Sequence, residues 1–230
     1  MLSAALNSHP NVICQTESLN SYKGLAKADQ IQIARNCIKG ELESDDRVSI
    51  PDSASARGLT LNPYKHGFDK SDLKKLFAGL LPNGSHPPRL VLLTRRNKLK
   101  QAVSICRAEQ FHWKSNRLQF SSESDLPAKG PLDVNRLEKI VSGLEFQTRQ
   151  LVEWSAELSD NCCAIEYEWL NQDSKSAILR VFQFVGINET PSNFDFQAGY
   201  QKILPDRLSD SVENYDQLKS SAILAKYLEG

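Results

Sequence analysis

Hydrophobic positions along the chain fall into two patterns: short continuous apolar runs, and longer stretches in which apolar residues recur every three or four positions. The runs read as strands at Val12-Ile13-Cys14, Leu59-Thr60-Leu61, Arg89–Thr94 and Ala164–Tyr167. Within the third, Leu90-Val91-Leu92-Leu93 is apolar at every position, the type of strand that a parallel sheet buries on both faces. The three-and-four spacing predicts helices over residues 2–8, 25–39, 69–81, 98–111, 132–158, 174–185 and 215–229. Punctuation supports several of them. Asn7-Ser8-His9-Pro10 stops the first, Asp69 or Ser71 caps the helix over 69–81, and Gly186 ends the helix that starts at Ser174. Residues 40–57, 82–88 and 115–131 are polar or rich in Ser, Asp, Gly and Pro and read as loops, while 194–214 reads as largely irregular. Helices interleaved with apolar strands predict an α/β fold with a mainly parallel sheet.

Length and charge narrow the class. A chain of 230 residues is enough for one α/β domain with a full core, so residues 1–230 are expected to form a single domain. Lys+Arg and Asp+Glu are equal at 28 each, which argues against a general nucleic-acid or membrane-surface binder and leaves room for a local basic pocket. The cysteines (Cys14, Cys37, Cys106, Cys162 and Cys163) are odd in number and form no C-x-x-C pair, so free thiols in a reducing compartment are expected. His9, His66, His86 and His112 show no ligand spacing, and no metal site is expected. No apolar run approaches the ~20 residues of a membrane span, and the start has no basic region followed by an apolar core. These readings point to the cytoplasm. Leu2-Ser-Ala-Ala-Leu6 reads as helix already under way, which suggests further sequence upstream. Oligomeric state is not legible at this level.

The residues richest in chemistry follow the apolar strand. Arg95 and Arg96 leave its C-terminal end, where open α/β sheets bind ligands, and Ser104 lies eight positions past Arg96 on the next helix. A guanidinium fork and a hydroxyl can hold one phosphate together through charge-assisted bonds plus a further donor. Paired arginines after a strand are also commonly solvated or salt-bridged, and the residues alone leave both readings open.

The segment Arg96-Asn-Lys-Leu-Lys-Gln-Ala-Val-Ser104 resembles the 3′-phosphate motif of sulfotransferases that use 3′-phosphoadenosine 5′-phosphosulfate: a strand, then Arg, then Ser eight positions on. Other stretches resemble the same family, bacterial type, in the same order. These are Leu6–Val12 with Glu17–Asn20, Ile165-Glu-Tyr-Glu-Trp-Leu170, Leu179–Val185 with Gly186-Ile187, and Leu208–Asp216. The resemblance implies a P-loop-like three-layer α/β fold around a mainly parallel central sheet. The activity it implies is transfer of a sulfuryl group to a hydroxyl of a sugar, lipid or small molecule, with 3′-phosphoadenosine 5′-phosphosulfate as co-substrate and no metal. By the same resemblance Arg96 and Ser104 hold the 3′-phosphate, Tyr167 lies near the adenine or ribose, and Lys202 reaches a cofactor phosphate. Glu17 matches a loop carboxylate proposed to take the acceptor's proton, with His66 as a rival base. Plainer roles stay open: a strand tyrosine, a solvated lysine, a capping or salt-bridged glutamate, a loop histidine.

Two departures stand out. The family's phosphosulfate loop carries Arg-Ser-Gly-Ser/Thr, whose backbone N–H groups bind the anion. The sequence contains no such motif, and Met1 falls just past its expected place, so the first strand and loop are expected to be missing from this chain. Relatives often carry Gly-Phe-Lys where this chain has Gly58-Leu59-Thr60, and Thr60 cannot supply the lysine's charge, though Lys65 could. An inactive remnant that binds a nucleotide or a partner is the alternative reading. A nucleotide kinase of related architecture is disfavoured by the absence of Gly-x-x-x-x-Gly-Lys-Ser/Thr.

Overall fold

The structure, a computed structural model, describes residues 2–16, 22, 24–39, 56–80, 88–115, 129–158, 161–196 and 207–228. Contacts divide the chain into two compact units. One comprises Met1–Leu93 and Leu151–Tyr200, and the other comprises Thr94–Gln150 and Gln201–Gly230.

In the first unit a short helix α1 (Leu2–Asn7) leads into strand β1 (Val12–Thr16). The turn between them is held by one side chain. Asn7 donates through Nδ2 to the Cys14 carbonyl at 2.8 Å and accepts the Cys14 N–H at 2.5 Å, so its amide stands in for a neighbouring strand. β1 pairs in parallel with β2 (Ala56–Thr60), in register from Val12↔Ala56 to Thr16↔Thr60. Parallel pairing needs a crossover, and helix α2 (Lys27–Lys39) lies between the two strands in sequence. Its Ile31, Ala34 and Cys37 are buried at helical spacing. β2 is followed by a single turn, α3 (Pro63–His66), and by α4 (Lys70–Ala78). Asp69 and Asp72 close a reciprocal capping box at the start of α4.

Strand β3 (Leu90–Thr94) pairs with β4 (Cys162–Glu166). The described strands thus form two two-stranded sheets, where the sequence predicts one mainly parallel sheet. Helices α7 (Tyr167–Gln172) and α8 (Ser174–Val185) follow β4. Tyr167 was expected at the end of a strand, but it opens α7, whose Leu170 is buried and whose Trp169 carbonyl accepts the Asp173 N–H at 2.8 Å. Ala177, Ile178, Val181 and Phe182 of α8 join Ile165, Cys163 and Val12 in one core. His9 is buried beside it. Its Nδ1 accepts the Asn11 N–H, so Nε2 carries the proton given to the Glu189 carbonyl at 2.8 Å. A second cluster joins Ile31 and Ala34 of α2 to Leu73 and Leu76 of α4 and to Phe68.

The second unit is built on α5 (Lys98–Ser115), the greater part of α6 (Val134–Leu158), and three short helices: α9 (Leu208–Ser211), α10 (Tyr215–Lys219) and α11 (Ala222–Ala225). Leu99, Ala102, Val103 and Cys106 line one face of α5 and pack with Leu137 and Val141 of α6 and with Leu208, Val212, Leu218 and Leu224. The continuous helix expected over 215–229 is broken at Ser220-Ser221. The Ser221 hydroxyl accepts the Leu224 N–H at 3.2 Å and donates to Glu138, so it starts a new turn instead of continuing the old one. α9 lies within the stretch expected to be irregular, and α3 falls where no helix was expected. The five cysteines form no disulfide. The expected loops over 40–57 and 115–131 and the connector over 82–88 lie largely outside the described residues.

Candidate functional site

The end of β3 delivers Arg95, Arg96 and Asn97 in succession to the N-terminus of α5. Asn97 caps the helix: its Oδ1 accepts the Lys100 N–H at 2.8 Å, and its carbonyl accepts the Gln101 N–H at 3.3 Å. Arg95 is half-buried, and its carbonyl accepts a hydrogen bond from the Lys98 ammonium, which is itself buried. Arg96 is exposed, and Ser104 is half-buried two turns along α5.

Helical spacing sorts these side chains. The apolar face of α5 is turned into the core, so the polar residues are confined to its flank. Asn97, Lys100, Ser104 and Arg107 follow one another at i, i+3, i+7 and i+10 and share one stripe of that flank. The electrostatics are unusual for a helix start. A helix N-terminus carries partial positive charge and favours carboxylates, yet the first turn of α5 has no acidic residue; Lys98 and Lys100 stand in it, and Arg95 and Arg96 lie just ahead of the cap. An anion placed there would complement both the helix pole and the basic side chains around it. The cap, the guanidinium, the ammonium groups and the serine hydroxyl suit a phosphate or sulfate ester.

Arg107 closes the stripe. Only 3% exposed, it donates from one guanidinium nitrogen to the carbonyls of Gly130 and Ser211, both at 2.6 Å, and from another to Gln110 at 2.8 Å. Burial pulls its pKa down from the usual arginine value. Asn97, Lys100 and Arg107 are not distinguished by sequence reasoning. The spacing of 97, 100, 104 and 107 from a helix start was the available signal, and it gains meaning only once Asn97 is seen to cap.

The other expected site residues are placed as follows. Tyr167 is half-buried at the first position of α7, in the first unit, whereas Arg96 and Ser104 belong to the second. His66 is buried in the first unit, at the end of α3. Its ring lies 6.3 Å from that of Phe68, and its carbonyl accepts a hydrogen bond from the Lys27 ammonium. Lys65 is exposed beside it, and Thr60 ends β2. Glu17 and Lys202 lie outside the described residues. Among the described residues, no cluster of three or more His, Cys, Asp or Glu could hold a metal, and no helix is long and apolar enough to cross a membrane.

Helices interleaved with short paired strands, and a basic helix start capped by Asn97 at the end of one of them, define an α/β protein with a candidate anion site. The family model described as Stf0 sulphotransferase matches residues 69–215, more than half of the chain, and the match takes in the whole β3–α5 unit. The chain belongs to the Stf0 sulphotransferase family. No curated protein and no solved structure is similar enough to the chain to count as a match.

Proposed function

We propose that the chain is a sulfotransferase domain with a P-loop-like arrangement. It moves a sulfuryl group from 3′-phosphoadenosine 5′-phosphosulfate to a hydroxyl of a sugar, lipid or small molecule, and residues 1–230 make up a single sulfotransferase-like domain. The observation that carries this reading is the stripe of α5: the Asn97 cap, Lys100 and Ser104, with Arg96 just ahead of them, inside the segment matched by the family. Arg96 and Ser104 take the 3′-phosphate, and Lys100 lends a second cation. Tyr167 packs on the adenine or ribose, and Lys202 reaches a cofactor phosphate.

In the reaction the acceptor oxygen attacks sulfur in line. A new oxygen–sulfur bond forms as the bond from sulfur to the 5′-phosphate oxygen breaks. The acceptor's proton passes to a base, with Glu17 and His66 as the candidates, and 3′-phosphoadenosine 5′-phosphate leaves with the bonding electrons. Positioning and stabilisation of negative charge by fixed cations carry the catalysis.

Calorimetric titration of the full chain with 3′-phosphoadenosine 5′-phosphate tests the site. Micromolar binding is expected. Arg96→Ala should weaken it by roughly 10–100-fold and Ser104→Ala by roughly tenfold, the range for one charged and one neutral hydrogen-bonding partner. No binding by a folded chain sinks the proposal. Binding without transfer to any hydroxyl acceptor would leave a nucleotide-binding protein. If Glu17 is the base, Glu17→Gln should lower kcat by roughly 10²–10⁴ and His66→Asn far less; the reverse order would assign His66.

A further inference from the structure

We propose that Asn97 is a positioning residue for the 3′-phosphate site: its amide ties the first turn of α5 to the C-terminal segment and so fixes where Arg96 and Ser104 stand. The inference rests on the reading of that site given above.

An N-cap needs only an acceptor, which Ser or Asp supplies as well as Asn. Asn97 uses its other half too. Its Nδ2 donates to the Tyr227 carbonyl at 2.9 Å while Oδ1 holds the Lys100 N–H, and the side chain is out of water, with the residue 7% exposed. The far end of this tie is braced. The Tyr227 hydroxyl donates to the Glu145 carboxylate, Lys226 forms an ion pair with the same carboxylate, and the Ser221 hydroxyl donates to Glu138 at 2.5 Å. Glu138 and Glu145 both stand on α6, so Asn97 is linked through the C-terminal segment to the longest helix among the described residues.

A second anchor lies on the same stripe. Arg107, one turn beyond Ser104, grips the Gly130 and Ser211 carbonyls, and Gly130 bridges Val212. Ser104 is therefore bracketed by two buried anchors that hold the same C-terminal segment from opposite ends of the stripe. Arg96 is the chain neighbour of Asn97, its Cα about 3.8 Å away, so a shift of the cap moves the guanidinium with it. Displacements of about 1 Å are enough to weaken a charge-assisted bond that depends on fork geometry.

The test compares two probes on the full chain: 3′-phosphoadenosine 5′-phosphate, which uses the 3′-phosphate site, and adenosine 5′-phosphate, which does not. Asn97→Ser keeps a capping oxygen but is too short to reach Tyr227, and Asn97→Ala removes both bonds. We expect Asn97→Ser to lose about tenfold of the preference for the 3′-phosphorylated probe, with affinity for the other probe unchanged. Tyr227→Phe leaves Asn97 intact, removes one of the two ties from the segment to Glu145 and should lose a few-fold, which covers the case in which the Asn97 variants fold poorly. A purely structural role would weaken both probes together. A wild-type preference in Asn97→Ser and Tyr227→Phe, while Arg96→Ala abolishes it, overturns the inference and leaves the site standing. A wild-type chain with no preference between the probes overturns the site itself, and the inference with it.

Discussion

Arg107 shows how much a single side chain contributes to this chain. Its planar fork offers donors in fixed directions, and two of the acceptors are backbone carbonyls distant in sequence from α5. Arg107→Met should destabilise the protein by roughly 2–4 kcal/mol, because two carbonyls lose a charged donor in a nearly dry place. Arg107→Lys should recover only part of the loss, and urea unfolding monitored by circular dichroism would check both. Glu145 gives a pH-dependent counterpart. Burial pushes its carboxyl up, but hydrogen bonds from Lys226 and Tyr227 outweigh burial and hold it below its ordinary 4.5. A carboxyl depressed in the folded state contributes stability above that value and loses it as pH falls through the lowered one. Burial and then the same carboxylate push the Tyr227 hydroxyl above its ordinary 10, so this contribution is lost as pH rises beyond 10. Thermal melting of Tyr227→Phe across pH should therefore show a flatter profile than wild type below pH 4.5 and above pH 10. At this scale Arg96 and Ser104 were singled out by the sequence, because a resemblance in spacing survives in one dimension. Asn97, Arg107 and Glu145 were not, because their partners lie 130, 23 and 82 positions away in the chain.

The secondary-structure elements agree with the pattern of apolar positions wherever local chemistry decides. α8 runs over the predicted Ser174–Val185, with Asp173 accepting the Ser176 N–H at its start and Gly186 at φ +84° closing it. Gly186→Ala should cost roughly 1–2 kcal/mol. An L-residue is strained at that φ, and the new Cβ would stand 3.1 Å from the Arg89 guanidinium, which donates to the Phe184 carbonyl. Asp69→Ala, which opens the capping box of α4, should cost about 1 kcal/mol, and Asp69→Ser should restore most of it. Equilibrium unfolding of these variants measures both effects. The pattern misled where tertiary contacts intervene. Residues 215–229 keep an apolar period across Ser220-Ser221, but the Ser221 hydroxyl finds Glu138 on α6 and the helix restarts there. Tyr167 ends a segment read as strand, yet it opens α7, whose Leu170 is buried.

Over the whole molecule, each compact unit has a core of its own, and this is testable. Ile178→Ala in the first unit and Leu218→Ala in the second should each cost roughly 2–5 kcal/mol if the unit stays folded enough to measure. Amide hydrogen exchange should report the first mainly in β4, α7 and α8, and the second mainly in α5, α10 and α11. Equal loss of protection across both units in either variant would mean that they unfold as one. The sequence by itself determined the α/β class, the order of most helices, the apolar strand that leads to Arg95 and Arg96, and the sulfotransferase resemblance. All of these are carried by periodicity, caps and spacing, which are local. Only the tertiary structure decided that the described strands pair two by two, that contacts divide the chain at Leu93 and again within α6, and that α5 is held at its start and again at Arg107 by a C-terminal segment more than a hundred residues away. Those features rest on pairings between distant groups, whose hydrogen bonds and burial the chain acquires only when it folds.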